Sequence, residues 1–365
     1  MQTRRYDIDW LRVIAIGLLM IYHVAIVFQP WGLMIGFISN EQSWEGVWLP
    51  MTMLNVWRIP ILFFISGMGV YFSFRNRNWK QLLAERSLRI LVPFAFGAFA
   101  IVPLYVFILQ HYQEWTIKYI PDTGHLWFLG NIYSYVLLAL PLLYYVKKYE
   151  NKRWVQLIKS IFSSPLGLVL IVAFFVMETA LVKPDIYELY AKTWHGYILG
   201  LIGFLAGYCL ALNGSTSFKM LAKFKWIFLL LAVILFAART LKLELTLPKI
   251  WMPIESCVWI FSILGLGYQY LNFNHKILSY LSKAAYPVYI LHMVFLGLSA
   301  SFVLPFNLPV SLKFFFVLTG TITGSLGCYE LIKRIKYFRV LFGIVTVDAS
   351  KDRPCLLYTS PSPRD

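Results

Sequence analysis

Residues 10–29 read WLRVIAIGLLMIYHVAIVFQ, an apolar run interrupted by Arg12 near its start and His23 towards its end. A helix needs about 20 apolar residues to cross the hydrocarbon core of a bilayer, and this run has that length. It is long for the apolar region of a secretory signal and shows no small-residue cleavage site before Pro30, so a retained span is expected. The rest of the chain is of the same kind. Of its 365 residues, 59% are hydrophobic and only 14% charged, against about 25% charged in soluble domains. Such a chain cannot cover itself with polar groups in water. The composition excludes a secreted soluble enzyme, a disordered scaffold and a nucleic-acid-binding domain. The same length criterion predicts an all-α, polytopic transmembrane helix bundle of ten spans, near residues 10–29, 48–73, 88–109, 125–146, 165–182, 196–212, 225–240, 250–271, 285–304 and 312–332.

The basic residues set the expected orientation. Of 33 Lys and Arg, 21 fall at the N-terminus and in alternate loops, among them Arg75, Arg77, Lys147, Lys148, Lys219, Lys225, Lys333 and Arg334. The opposite loops hold 7, including Lys118, Lys192, Arg239 and Lys313. This bias predicts both termini in the cytoplasm; a multi-pass protein of the cell inner (plasma) membrane is expected. The net charge of +16 is thereby assigned to the membrane surface and no nucleic-acid partner is expected. The four cysteines (Cys209, Cys257, Cys328 and Cys355) have no metal spacing and no disulfide framework, and no metal is expected. Prolines within the spans (Pro60, Pro93, Pro103, Pro141, Pro253 and Pro287) are expected to kink them. The Ser66–Gly67 pair is expected to let two helices approach closely. Residues 341–365 form a polar tail, whose last ~15 residues, ending CLLYTSPSPRD, read as non-native sequence and are excluded from the fold.

Ionisable groups inside a bilayer are costly, so each marks a candidate site. The set is Arg12, His23, Arg58, Glu178, Glu255 and His292. Arg12 and His23, eleven positions apart, share one face of a helix and are separated by about 16 Å along it. Arg58 lies about 15 Å below the outer edge of the second span, Glu255 about 8 Å below that of the eighth, and His292 about 10 Å above the inner edge of the ninth. An imidazole, a carboxylate and a guanidinium in the upper half of the bundle suit catalysis. They suit a proton relay or a static ion-pair network equally well. Taken singly, Arg12 also reads as an interfacial anchor paired with Asp9, and His23 as a buried histidine bonded to a carbonyl. Arg86 and Arg89, three apart on one face, suit an anionic phosphate, or simply a cytoplasmic rim. His125 and Trp127 open the fourth span, where a solvated histidine and a belt tryptophan are the plain alternative.

Several stretches, in order, resemble one known family. DWLRVIAIGLLMIYH (9–23) carries Arg12 and His23 with ten residues between them; WRIPILFFISG (57–67) carries Arg58; ERSLRILVP (85–93) carries Arg86 and Arg89; GHLWFL (124–129) and AYPVYILH (285–292) carry His125, Trp127 and His292. Together, over roughly residues 5–340, they resemble the membrane acyltransferases of acyltransferase family 3. Within it, HLWFL and the lack of a fused extracytoplasmic domain most resemble the glucan-biosynthesis protein C subgroup.

The resemblance implies a membrane O-acyltransferase occupying residues 1–340, with no tightly bound cofactor and with acyl-CoA as donor. Its partners would be acyl-CoA, a periplasmic or cell-surface glycan and the lipid bilayer. Arg86 and Arg89 would hold the CoA phosphates, with Arg12, His125, Trp127 and His292 also contacting substrate. His23 would be the general base and Arg58 would steady the oxyanion of an acetyl or succinyl transfer. Glu255 is added from depth alone, as the carboxylate that orients the imidazole. The alternative is a secondary transporter or flippase using the same buried His, Arg and Glu groups.

Overall fold

The computed structural model describes residues 5–241 and 250–344. The loop lysines Lys242 and Lys249, and all of the polar tail beyond 344, lie outside the described residues. Among the described residues helix is the only regular secondary structure, with no strand. Ten helices are long and apolar enough to cross a membrane: Tyr6–Val27, Glu45–Arg75, Trp79–Tyr112, Gly124–Lys148, Pro165–Val182, Trp194–Leu212, Thr216–Thr240, Trp251–Tyr270, Lys276–Val303 and Val310–Ile332. The protein is a multi-pass membrane bundle. We number these helices as spans in chain order.

Hydropathy finds the apolar part of each helix, and the helices run on beyond it. The third, seventh and ninth spans begin at Trp79, Thr216 and Lys276, each nine residues ahead of the apolar run. Local caps explain two of the early starts. Asn78 and Gln81 form a reciprocal capping box, and the His275 side chain accepts the Ile277 N–H, so polar turns are satisfied outside the apolar core. Lys225, counted with the loop charge at the very start of the expected span, is therefore well inside the seventh span. It is buried, with Nζ donating to the Ala222 carbonyl at 3.1 Å.

The prolines act in different ways. Pro60, Pro141 and Pro287 sit within continuous α-helix, while Pro253 lies in the first turn of its span, where its missing N–H would be unbonded anyway. Pro93 and Pro103 each follow a π-turn, Ser87–Leu91 and Gly97–Ile101. A proline cannot donate to the preceding turn and crowds its carbonyl, and the wider turn relieves that crowding. The third span is thus irregular where it carries Arg89.

Lipid is as apolar as leucine, so spans associate through close packing and internal hydrogen bonds. The second and sixth spans meet backbone to backbone. A Cβ on Gly67 would collide with the Phe204 carbonyl, and one on Gly207 with that of Phe64. A buried staple joins the fifth and sixth spans: His195 Nδ1 faces the Glu178 carboxylate at 2.9 and 3.0 Å, and its Nε2 bonds the Tyr187 carbonyl at 2.9 Å. Glu178 thereby takes a packing role.

Contacts at the helix ends join the basic segments in pairs. Tyr6 N–H donates to Asn272, Lys147 Nζ to the carbonyls of Phe74 and Arg77, and Ser217 to Phe162. At the other end Lys192 pairs with Asp122, and Lys313 bonds Asn40.

Candidate active site

The first span places Arg12 and His23 on one face, and the ninth brings His292 against it. His23 Nδ1 lies 2.9 Å from His292 Nε2, and the two rings are nearly parallel, with centroids 5.1 Å apart and planes 5° from one another. His292 is wholly buried; His23 is part-buried. The remaining His292 nitrogen, Nδ1, is 2.6 Å from the Tyr289 carbonyl. His125 completes the cluster. Its Nε2 is 3.1 Å from the Ile290 carbonyl, and its ring stands edge-on to His292 at 4.9 Å. Tyr289 Oη donates to the His125 carbonyl, so the fourth and ninth spans are tied at this level. His125, which also read as a solvated loop residue, is packed inside the bundle through these contacts. His292 stands level with His23 rather than lower in the bundle, because the ninth helix begins nine residues before its apolar run.

Arg58 is 1% exposed. Its guanidinium lies over the Tyr22 ring at 3.7 Å, a cation–π contact that offsets part of the cost of burial. Its Nε and Nη1 are buried and meet no acceptor among the described residues. A buried donor without an acceptor is destabilising by about 1–3 kcal/mol, more when charged. Arg58 is thus suited to receive an anion. Tyr22, the neighbour of His23, packs on Trp48 at 5.4 Å and brings Arg58 towards the imidazoles.

Glu255 stands elsewhere. Its two carboxylate oxygens are taken by Arg239, at 2.8 Å to Nε and 3.0 Å to Nη2. Arg239 also donates to the Thr52 carbonyl at 3.1 Å and lies 3.7 Å from Glu188. The pair locks the second, seventh and eighth spans together, and its carboxylate does not orient His23, whose Nδ1 faces an imidazole instead. Depth was not enough to tell these outcomes apart, because residues at one level can face different sides of their helices. Trp127 packs on Phe63 and Phe128, with centroids 6.4 and 6.2 Å away, as part of the aromatic core.

At the basic end, Arg12 and Arg86 converge on the second span. Arg86 Nη2 donates to the Gly69 carbonyl at 3.2 Å, and Arg12 Nη2 would lie 3.8 Å from a Cβ on the same glycine. Arg12 also pairs with Asp9 at 3.3 Å. Arg89 and Arg77 both pair with Glu85 at 3.3 Å. Among the described residues, four guanidinium groups here face the two carboxylates of Asp9 and Glu85. In the sequence Arg77 is only loop charge; its distance from the RxxR element hides that the turn after the second span brings it back to Glu85. Among the described residues no group of three His, Cys, Asp or Glu is placed to hold a metal ion.

A family model described as an acyltransferase domain, that of acyltransferase family 3, matches residues 5–330. The chain belongs to this family. It is a membrane acyltransferase, transferring groups other than aminoacyl groups. Membership favours the acyltransferase reading of the chain over the transporter or flippase alternative. No curated protein and no solved structure matches the chain.

Proposed function

We propose that the enzyme moves an acyl group, acetyl or succinyl, from cytoplasmic acyl-CoA to a hydroxyl of an extracytoplasmic glycan. On this reading it lies in the inner (plasma) membrane with both termini cytoplasmic, and it is closest in role to the glucan-biosynthesis protein C subgroup. The observation that carries the reading is the division of the bundle into two polar levels. Arginines gather at the basic end, and a buried imidazole cluster with Arg58 beside it lies further along the same first span.

The chemistry follows from the groups at each level. Arg86 and Arg89, aided by Arg12 and Arg77, hold the CoA phosphates by charge-assisted hydrogen bonds. The acyl-pantetheine arm then runs past Arg12 towards His23, about 16 Å further along the helix. A sugar hydroxyl is a weak nucleophile, and His23 takes its proton as the oxygen attacks the thioester carbonyl. Arg58 steadies the oxyanion that forms, in a place with little water to compete. Collapse breaks the carbon–sulfur bond, His23 returns the proton to the thiolate, and ester and free CoA thiol leave. On this reading His125 and Trp127, at the start of the fourth span, contact the acceptor.

The test is direct. Purified enzyme is incubated with labelled acetyl-CoA or succinyl-CoA and periplasmic glycan, and label is followed into alkali-labile ester. Ester on the glycan supports the reading. Label that reaches no glycan with either donor counts against it.

A further inference from the structure

We infer that His292 is a positioning residue that fixes the tautomer of His23, so that Nε2 of His23 is the basic nitrogen. The inference rests on His23 being the base and adds which atom acts and what holds it.

The hydrogen bonds determine the protons. A backbone carbonyl only accepts, so His292 Nδ1, 2.6 Å from the Tyr289 oxygen, must carry a hydrogen. A neutral imidazole has one N–H and one lone pair, so His292 Nε2 is an acceptor. The nitrogen 2.9 Å from it, His23 Nδ1, must then be the donor. That leaves the lone pair of His23 on Nε2, for which no hydrogen bond is seen among the described residues. The opposite arrangement fails at Tyr289, where a bare Nδ1 would face a carbonyl lone pair. A doubly protonated His292 fails too, since it would be an enclosed cation with no carboxylate bonded to it. The buried carboxylates of Glu178 and Glu255 are bonded elsewhere, to His195 and Arg239.

The support is rigid. His292 is wholly buried, His125 stands edge-on to its ring, and Tyr289 supplies both the carbonyl behind His292 and a hydroxyl to the His125 backbone. When His23 gains the hydroxyl proton, its Nδ1–H bond to His292 is unchanged and the new proton sits on Nε2, facing the leaving thiolate. The arrangement does what the aspartate of a Ser-His-Asp triad does, namely hold tautomer and orientation, with a neutral acceptor in place of a carboxylate.

Three substitutions separate this role from packing. His292→Gln sets an amide oxygen where Nε2 was, keeping the acceptor. His292→Asn keeps a donor for the Tyr289 carbonyl but has no acceptor for His23, and His292→Phe keeps only a ring. The expected result is a fall in kcat of at least about tenfold for Asn and Phe, with the KM for acyl-CoA unchanged and most of the rate restored in Gln. The loss is bounded by that of removing the base, about 10²–10⁴. Equal losses in Gln and Phe, or full activity in Asn and Phe, would overturn the inference. A measurement on the unaltered enzyme needs no variant to fold. With 15N-histidine label in lipid vesicles, His23 should show a protonated Nδ1 and a bare Nε2; the reverse assignment would also overturn it. A His23→Ala enzyme of normal activity would instead remove the reading beneath it.

Discussion

Replacing Glu255 by glutamine tests whether the structure has separated architecture from chemistry. Glu255 is 2% exposed at its side chain and accepts two bonds from Arg239, which is 21% exposed. The glutamine keeps the shape and one acceptor oxygen, and loses the charge. Bonds to charged partners contribute about 1.5–3 kcal/mol and neutral ones about 0.5–1.5. One of the two bonds is weakened and the other now faces an amide N–H₂. Glu188, 3.7 Å from Arg239, remains as a second carboxylate and limits the damage. We expect a loss of about 2–3 kcal/mol, below the 3–5 kcal/mol typical of breaking a fully buried pair. Thermal unfolding in detergent measures it, and the Glu255→Gln/Arg239→Gln double variant should be less destabilised than the sum of the singles. Transfer rate, expressed per folded molecule, should stay within about threefold of the parent, since general-base support is worth far more than that. A Glu255→Gln enzyme of full stability that loses two orders of magnitude in rate would refute the reasoning and return this carboxylate to the imidazole.

Other outcomes follow from the same geometry. Arg89→Ala should raise the KM for acyl-CoA several-fold while yield stays normal, because Glu85 keeps Arg77 as a partner; unchanged steady-state kinetics would reduce Arg89 to surface charge. Gly67→Ala should lower the unfolding temperature by an amount equivalent to about 1–3 kcal/mol, since its Cβ has no room against Phe204; a normal melting curve would show that the second and sixth spans are not in backbone contact. A topology reporter inserted at Gly214 should read cytoplasmic, and one between Glu114 and Ile120 extracytoplasmic, with the reverse pattern inverting the proposed orientation.

The membrane architecture was legible because it depends on composition over long windows. Ten apolar runs of spanning length are a large signal, and all ten match helices. What hydropathy does not see is where helices continue through polar turns, and so Lys225 lies well inside its span rather than at its edge. The first-span pair was legible for a related reason: Arg12 and His23 are on one helix, whose period fixes their shared face. Contacts between helices depend on the rotation of each about its own axis, which no periodicity of a mostly apolar helix records. Glu255 and His292 show the consequence. The carboxylate turns to Arg239 and the second imidazole turns to His23, although depth alone favoured the carboxylate. The part played by Tyr289 is hidden further, because its backbone carbonyl meets His292 as well as its side chain meeting the His125 backbone.

The central claim is that His23 is the base of acyl transfer, and one measurement reaches it most directly. His23→Ala enzyme and parent are purified in parallel, matched by detergent-extracted yield, and given labelled acyl-CoA with acceptor glycan. The alanine is apolar and leaves the helix hydrogen bonds intact, so insertion and yield should be normal. Transfer should fall by about 10²–10⁴. Transfer at the parental rate from normally accumulated His23→Ala protein would contradict the account.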